Sequence, residues 1–558
     1  LVVEWKVKGR VKREVQMRKR KVAGKVGSLG CASALAWGGC GSSSSGATEN
    51  GKPVVTVAVV KDARAEKMSQ MAWTKDLEKD CGCTIKWQEV ASSSWDQQKK
   101  ASLAAGEVAD VTIGGFGSGD MGQYGSLFLD LKPELKSMPY ISKMFKAEPY
   151  SQVISTTTTG KILGAPTVDR PTTARTSNHM FINKQWLDKL GLKVPTTWDE
   201  LETDLKAFKT EDPNGNGKAD EIPMDFNSPD TSGFGLFQPN VLLASEGIVV
   251  PNGALGMYVD NGKVKNYLTD SRYKTLIQYM HKLWSDGVIS SEAFTHDWSK
   301  YTGTAKGNGT TATVGFTWMW TPSDIFGPKI ADQYVTIPAL KASNGQTTKT
   351  VWAYNGDDLA YKADTIVVSS KVKNKAAALK LVDAFYSPDL SIQARYGAFG
   401  TAVKKIAVNN YKVLDPPAGH DTSDWQFYQS LSDGAPGWIS ESMKLDLPAV
   451  QTEVKGVDKV YDADYKNVNF NKDVLYANMP MTEEQTNTMN ANNTGITQYA
   501  MSKFATWVTK GGVDNDWDTY VSYLNKNKLD DNIKIEQQVY NSFQKNMRLI
   551  GVNLNSQN

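Results

Sequence analysis

The residue types and spacing that carry the most chemistry lie at Asp212-Pro-Asn214-Gly-Asn216-Gly217-Lys218-Ala-Asp220-Glu221. Oxygen-bearing side chains fall at loop positions 1, 3, 5 and 9, with glycine at 6 for the tight turn. Lys218, at position 7, would offer its backbone carbonyl. This spacing suits a hard cation that needs about 6–8 oxygens, so the segment predicts a structural Ca2+ site. Position 12 is Pro223, and the acid able to close the site is Glu221, at position 10. A solvated Asn-Gly turn would have the same composition.

Trp318-Met-Trp320 is the second constellation. It ends a strand-like run, and strand alternation puts both indoles on one face, where they could stack consecutive sugar rings or be core. Asp357-Asp358 and Asp169 are the carboxylates nearest to a glycosidase pair, which needs two acids about 5–10 Å apart. No Gly-x-Ser-x-Gly, His-Glu-x-x-His or P-loop accompanies them, so nothing positive supports catalysis. Gly117-Ser-Gly119-Asp-Met-Gly122 fits a dinucleotide fingerprint. Without a long apolar helix after it, it reads as a flexible loop at a ligand cleft. Cys81-Gly-Cys83 has too few neighbouring ligands for a metal. It leaves a local disulfide or two semi-buried thiols, and the thiols are expected.

Elements must position these residues. The 558-residue chain is long enough for two or more domains. Its 40% hydrophobic and 10% aromatic content exclude a polytopic membrane protein and a disordered chain. Residues 1–25 carry ten Lys/Arg against two Glu, which leaves 53 basic and 58 acidic side chains beyond them. That acidic body argues against nucleic acid as a partner. Residues 54–60 read as a buried strand, 64–80 as a helix, Thr84–Val90 as a strand, Trp95–Ala105 as a helix and Asp110–Gly114 as a strand. This βαβαβ order implies an α/β fold with a parallel sheet. Further helices are expected at 183–190, at 198–209 capped by Thr197, at 271–286, at 374–386 capped by Asn374, and around 496–508.

The leader resembles a bacterial lipoprotein signal. Met17-Arg-Lys-Arg-Lys21 is a basic segment, Val26–Gly39 is apolar but too short to span a bilayer, and Cys40 precedes a Ser/Gly tether. Trp37 stands where that pattern has Leu. Residues 1–39 are expected to be leader, with 1–16 an over-extended start, and Cys40 is expected to be lipidated at the head of a 40–51 tether.

The body resembles the family 1 extracellular solute-binding proteins of ABC importers, in their large oligosaccharide-binding branch. The carrying segments are Asn183 to Leu201, Leu283 to Glu292, Lys375 to Tyr386 with Arg395 to Gly400, and Gly512 to Tyr520. The resemblance implies a two-lobed, type II periplasmic-binding-protein-like fold with a hinge. The N-terminal lobe would be 52–168 with 355–410, and the C-terminal lobe 169–354 with 411–558, including the calcium loop 212–221. It implies a monomeric, membrane-anchored binder on the extracellular face of the cytoplasmic membrane. Such a protein hands an oligosaccharide to permease subunits and performs no catalysis. A peptide-binding lipoprotein and a secreted carbohydrate hydrolase are the alternatives. Alginate-binding relatives carry the same loop variant as a calcium site, and maltose-binding relatives place a Trp-x-Trp in the sugar cleft, which extends that role to Trp318 and Trp320. Lys61, Asp62, Phe116, Asp120 and Tyr124 follow strand ends of the first lobe. With Asp169, Arg170 and Trp438 they complete the expected ligand site.

Overall fold

The computed structural model describes residues 46–556 except 252, 254, 419 and 421. The leader and Cys40 lie outside the described residues.

Val55, Val57 and Val59 are fully buried, and Val54 and Ala58 on the opposite face are nearly so. A strand apolar on both faces must be covered on both: Lys52–Lys61 lies inside the sheet, parallel to Thr84–Ala91 and to Val111–Ile113, and the helices Ser92–Ala105 and Lys375–Ala384 pack on it. Tyr361–Val368 joins antiparallel beside Val111–Ile113, followed by Gly164–Asp169 and Trp438–Ile439. With the short strand Thr48–Glu49, these form a seven-stranded sheet.

A second sheet holds Tyr334–Ile337, His179–Asn183, Val314–Met319 and Ile222–Met224, in that order. The chain therefore passes from one sheet to the other after Asp169 and returns before Tyr361. These two sheets with their helices are the lobes of an α/β fold. The expected lobe boundary at 411 falls short, because Trp438–Ile439 still pairs with Gly164–Asp169 of the first sheet.

Helix starts follow their caps. The Asn183 side chain accepts from the Trp186 N–H at 3.0 Å, and the Thr197 hydroxyl accepts from the Glu200 N–H at 3.2 Å. Asn374 is different. It precedes the helix Lys375–Ala384 without capping it, and its amide instead donates to the carbonyls of Ala47 and Val54 at 2.9 and 2.8 Å. The helix expected over 64–80 is a 3-10 turn at Met68–Gln70 and then Thr74–Cys81. At its end Cys81 and Cys83 are joined in a disulfide, not left as the two thiols expected. The glycine motif at 117–122 is a short helix, Ser118–Tyr124, whose Asp120 carboxylate accepts from the Gly117 N–H at 3.0 Å. The long helix Glu483–Lys510 packs on Ser271–Ser285 and on Leu529–Ile550. Among the described residues no helix is long and apolar enough to cross a membrane.

Candidate functional site: a cavity between the two sheets

A cavity of about 430 Å³ opens between the sheets. Thr167 and Asp169 reach it from the end of one strand of the first sheet, and Lys362 from its neighbour. Trp320, directly after the strand Val314–Met319, and Phe237 enter from the second-sheet side. Ser177 and Asn355, on the two chain crossings, also line it. These two hold one another: the Ser177 N–H donates to Asn355 Oδ1 at 2.8 Å, and Asn355 Nδ2 donates to Ser177 Oγ at 3.0 Å.

The polar wall centres on Arg395. Its Nε lies 3.3 Å from Asp169 Oδ2 and its Nη1 2.5 Å from Asp433 Oδ1. Burial works against the guanidinium charge, but Asp433 and Asp169 outweigh it and the proton is held more tightly than in water. Arg395 in turn holds the Asp433 carboxyl below the usual range. Burial pulls the Lys362 ammonium down, against the attraction of Asp433, whose carbonyl accepts from Lys362 Nζ at 2.7 Å. Asp169 itself is buried, and its Oδ1 has no hydrogen-bond partner within the protein. A buried carboxylate oxygen left unpaired costs free energy that a hydrogen-bond donor would recover.

The apolar wall is Trp320 and Phe237. Trp320 is half-buried, and its carbonyl accepts from His179 Nδ1 at 2.8 Å. Phe237 has φ +63°, an outlier for a bulky side chain. Its N–H donates to Asn178 Oδ1 at 2.8 Å and its carbonyl accepts from the Asn227 N–H at 3.1 Å, so the neighbours enforce the conformation. Beyond Phe237, at 5.9 Å between ring centres, stands Trp298, 45% exposed.

Of the expected ligand residues, the cavity brings together Asp169 and Trp320. Trp318 is a correction. It is fully buried, edge-on to Phe316 at 4.8 Å and to Phe226 at 6.5 Å, and belongs to the core. Trp438 is also corrected: it sits buried in a sheet strand and is no loop aromatic. Phe116 packs in an apolar cluster against Trp95 and Phe128, with Tyr124 at its margin. Lys61 pairs with Glu89 at 2.6 Å, Asp62 with Arg64 at 2.9 Å, Asp120 with Lys99 at 3.1 Å and Arg170 with Glu441 at 2.9 Å. None of these lines the cavity. Arg395, Asp433, Lys362 and Phe237 do, and the sequence had not singled them out. Asp357 is buried away from solvent, where burial raises its carboxyl to about 6 and Tyr150 and Ala477 donate to it at 3.0 and 2.7 Å.

The loop at 212–221 folds on itself. Gly215 and Gly217 adopt φ +71° and +75°, which lets the chain turn tightly. Asp212 accepts from the N–H groups of Asn216 and Gly217, and the Asp220 carboxylate receives the side-chain amides of Asn214 and Asn216 at 2.9 and 3.0 Å. Those amides hold the Asp220 carboxyl below its usual range, while burial raises Glu221. Among the described residues no three His, Cys, Asp or Glu cluster as a metal site. The loop's oxygens are mixed carboxylate, amide and carbonyl, a donor set that fits a hard cation.

Two lobes facing across a cavity walled by aromatic rings and carboxylates define a two-lobed solute-binding protein. The chain belongs to the bacterial extracellular solute-binding protein family, whose model matches residues 63–390. A solved structure described as an HMO-binding, ABC-transporter-associated solute-binding protein, from Bifidobacterium longum infantis, is 39% identical, with 89% of this chain and 100% of that one covered and a TM-score of 0.85. The fructooligosaccharide ABC transporter substrate-binding protein FusA of Streptococcus pneumoniae serotype 4 is 30% identical over 490 residues, 84% of this chain and 86% of that protein. A solved FusA structure, described as an EF-hand mutant in complex with fructo-nystose, has a TM-score of 0.75 at 25% identity, covering 88% of this chain and 100% of that one.

Proposed function

We propose that this chain is the substrate-binding component of an ABC importer and that an oligosaccharide occupies the cavity between its lobes. The observation that carries the reading is the pairing of Asp169 Oδ1, buried and unpartnered, with the half-buried Trp320 across the same cavity. A sugar ring presents both complements, a C–H face for an indole and hydroxyl donors for a carboxylate. The names of the similar proteins point the same way. The lobes close on the ligand about the two chain crossings, and the closed form is what permease subunits engage. The chain binds and releases without chemistry. Cys40 carries a lipid that holds it, as a monomer, at the extracellular face of the cytoplasmic membrane. Asp212, Asn214, Asn216, the Lys218 carbonyl, Asp220 and Glu221 hold a structural Ca2+, a role supported by the donor set and by the EF-hand named for the FusA structure. Thermal-shift screening of the full chain against neutral, acidic and peptide ligand panels tests the function. Oligosaccharides should raise the melting temperature by mass action, and peptides should not. A shift with peptides alone would replace this reading.

A further inference from the structure

The charges along the cleft are arranged in a way that restricts the ligand further. In the central cavity both cations are already committed: Arg395 to Asp169 and Asp433, and Lys362 to the Asp433 carbonyl. A second cavity, of about 290 Å³, shares Asn355 and Asp358 with the first. Its described lining includes Asp357 and Glu536 but no Lys or Arg. A third, sharing Gly253 with the second, is lined by Asp230 and Asp297, again with no Lys or Arg among its described residues. The cavity that shares Met481 with the second has one described lysine, Lys161, which faces that space together with Asp364 and Glu483.

We infer that the cleft is built for an uncharged oligosaccharide and rejects uronate or sialylated chains, an inference that rests on the reading of the cleft as a glycan site. A sugar carboxylate needs a free guanidinium or ammonium. Here Arg395 could serve it only by leaving Asp169 and Asp433, which would strand their charges in a partly desolvated wall. Elsewhere the acid would face Asp358, Asp230, Asp297 and Glu483 against one described lysine, Lys161, and like charges at an interface repel. A cationic amino-sugar chain is not favoured either. Asp169 and Asp433 share Arg395, with Lys362 beside them on the Asp433 carbonyl, and Asp357 is satisfied internally by Tyr150 and the Ala477 N–H, so none of the three is a free counter-ion. What the walls offer a ligand is hydrogen-bond acceptance with no cation to spare, which is the complement of sugar hydroxyls.

Calorimetric titration of the full chain distinguishes the cases. The probes are nystose, lacto-N-tetraose and its sialylated form, tetragalacturonate and its methyl ester, and chitosan tetramer. At least one neutral probe should bind, and acidic forms should bind at least about tenfold more weakly than their neutral counterparts, by like-charge repulsion. That gap should narrow as sodium chloride is raised, because salt screens repulsion. Asp433→Asn should also narrow it, by releasing Arg395. An acidic form binding as tightly as its neutral counterpart, a gap that neither salt nor Asp433→Asn changes, or tightest binding by chitosan tetramer would overturn the charge inference and leave the glycan reading standing. Binding by none of the probes would overturn both.

Discussion

Arg395 and Asp169 stand 226 residues apart in sequence, yet the guanidinium Nε sits 3.3 Å from Asp169 Oδ2 and leaves the other carboxylate oxygen without a partner. The pair joins the helix Pro388–Tyr396 to the end of the strand Gly164–Asp169. Asp169 is thus oriented by one oxygen and free to accept with the other. Asp169→Asn should weaken oligosaccharide binding roughly 10–100-fold, the worth of about 1.5–3 kcal/mol for a hydrogen bond to a charged group. Calorimetry on the variant, with circular dichroism to verify folding, makes the measurement. Unchanged affinity in a folded variant would show that Oδ1 takes no ligand hydroxyl.

Trp320 and Trp318 should separate cleanly. Trp320→Ala should cost about 1–3 kcal/mol of binding while leaving most of the stability in place. Trp318→Ala should cost about 3–5 kcal/mol of stability, because it empties a core site against Phe316 and Phe226. Chemical denaturation and titration of both variants read the two effects. A stability loss at Trp320 matching that at Trp318 would contradict the assignment.

Stability should fall as pH rises from 5 to 8. Burial raises Asp364, Glu536 and Asp204 each to about 7. A carboxyl raised in the folded state contributes stability that is fully present below its unfolded value, about 4, and is lost as pH rises through the folded one. Asp364 adopts φ +53°, which Asn tolerates, and it accepts from Ser118 Oγ at 3.1 Å. Asp364→Asn should therefore keep the fold and remove about 1–3 kcal/mol of the decline across this window. Calorimetric scans at pH 5 and pH 8 should show the smaller drop. Equal drops in both proteins would place the pH dependence elsewhere.

Chelation should lower the melting temperature by several degrees, and Asp212→Ala should lower it similarly while abolishing the response to chelator. Elemental analysis of the purified protein should find calcium. A chelator-insensitive melt together with no bound calcium would reduce the loop to an ordinary turn.

Much of the scaffold was legible because its signal is local. The valine run at 54–60 is apolar on both faces, as a covered parallel strand must be. Thr197 and Asn183 cap helices through contacts three residues away. The cleft was legible only in part. Alternation gave Trp318 and Trp320 a shared direction, but Trp318 lies within the strand and Trp320 just past its end, where the cavity opens. Arg395, Lys362 and Asp433 meet Asp169 only after the chain has crossed between sheets and returned, so no window of sequence held the cluster. Phe237 was hidden for another reason: no local pattern announces a phenylalanine at φ +63°.

The most direct measurement is a crystal structure of the full chain with a neutral tetrasaccharide that raises its melting temperature. The account predicts sugar density between the sheets, one ring against the Trp320 indole and a hydroxyl within hydrogen-bond distance of Asp169 Oδ1. Density at another surface, with the cavity between Trp320 and Asp169 unfilled, would contradict it.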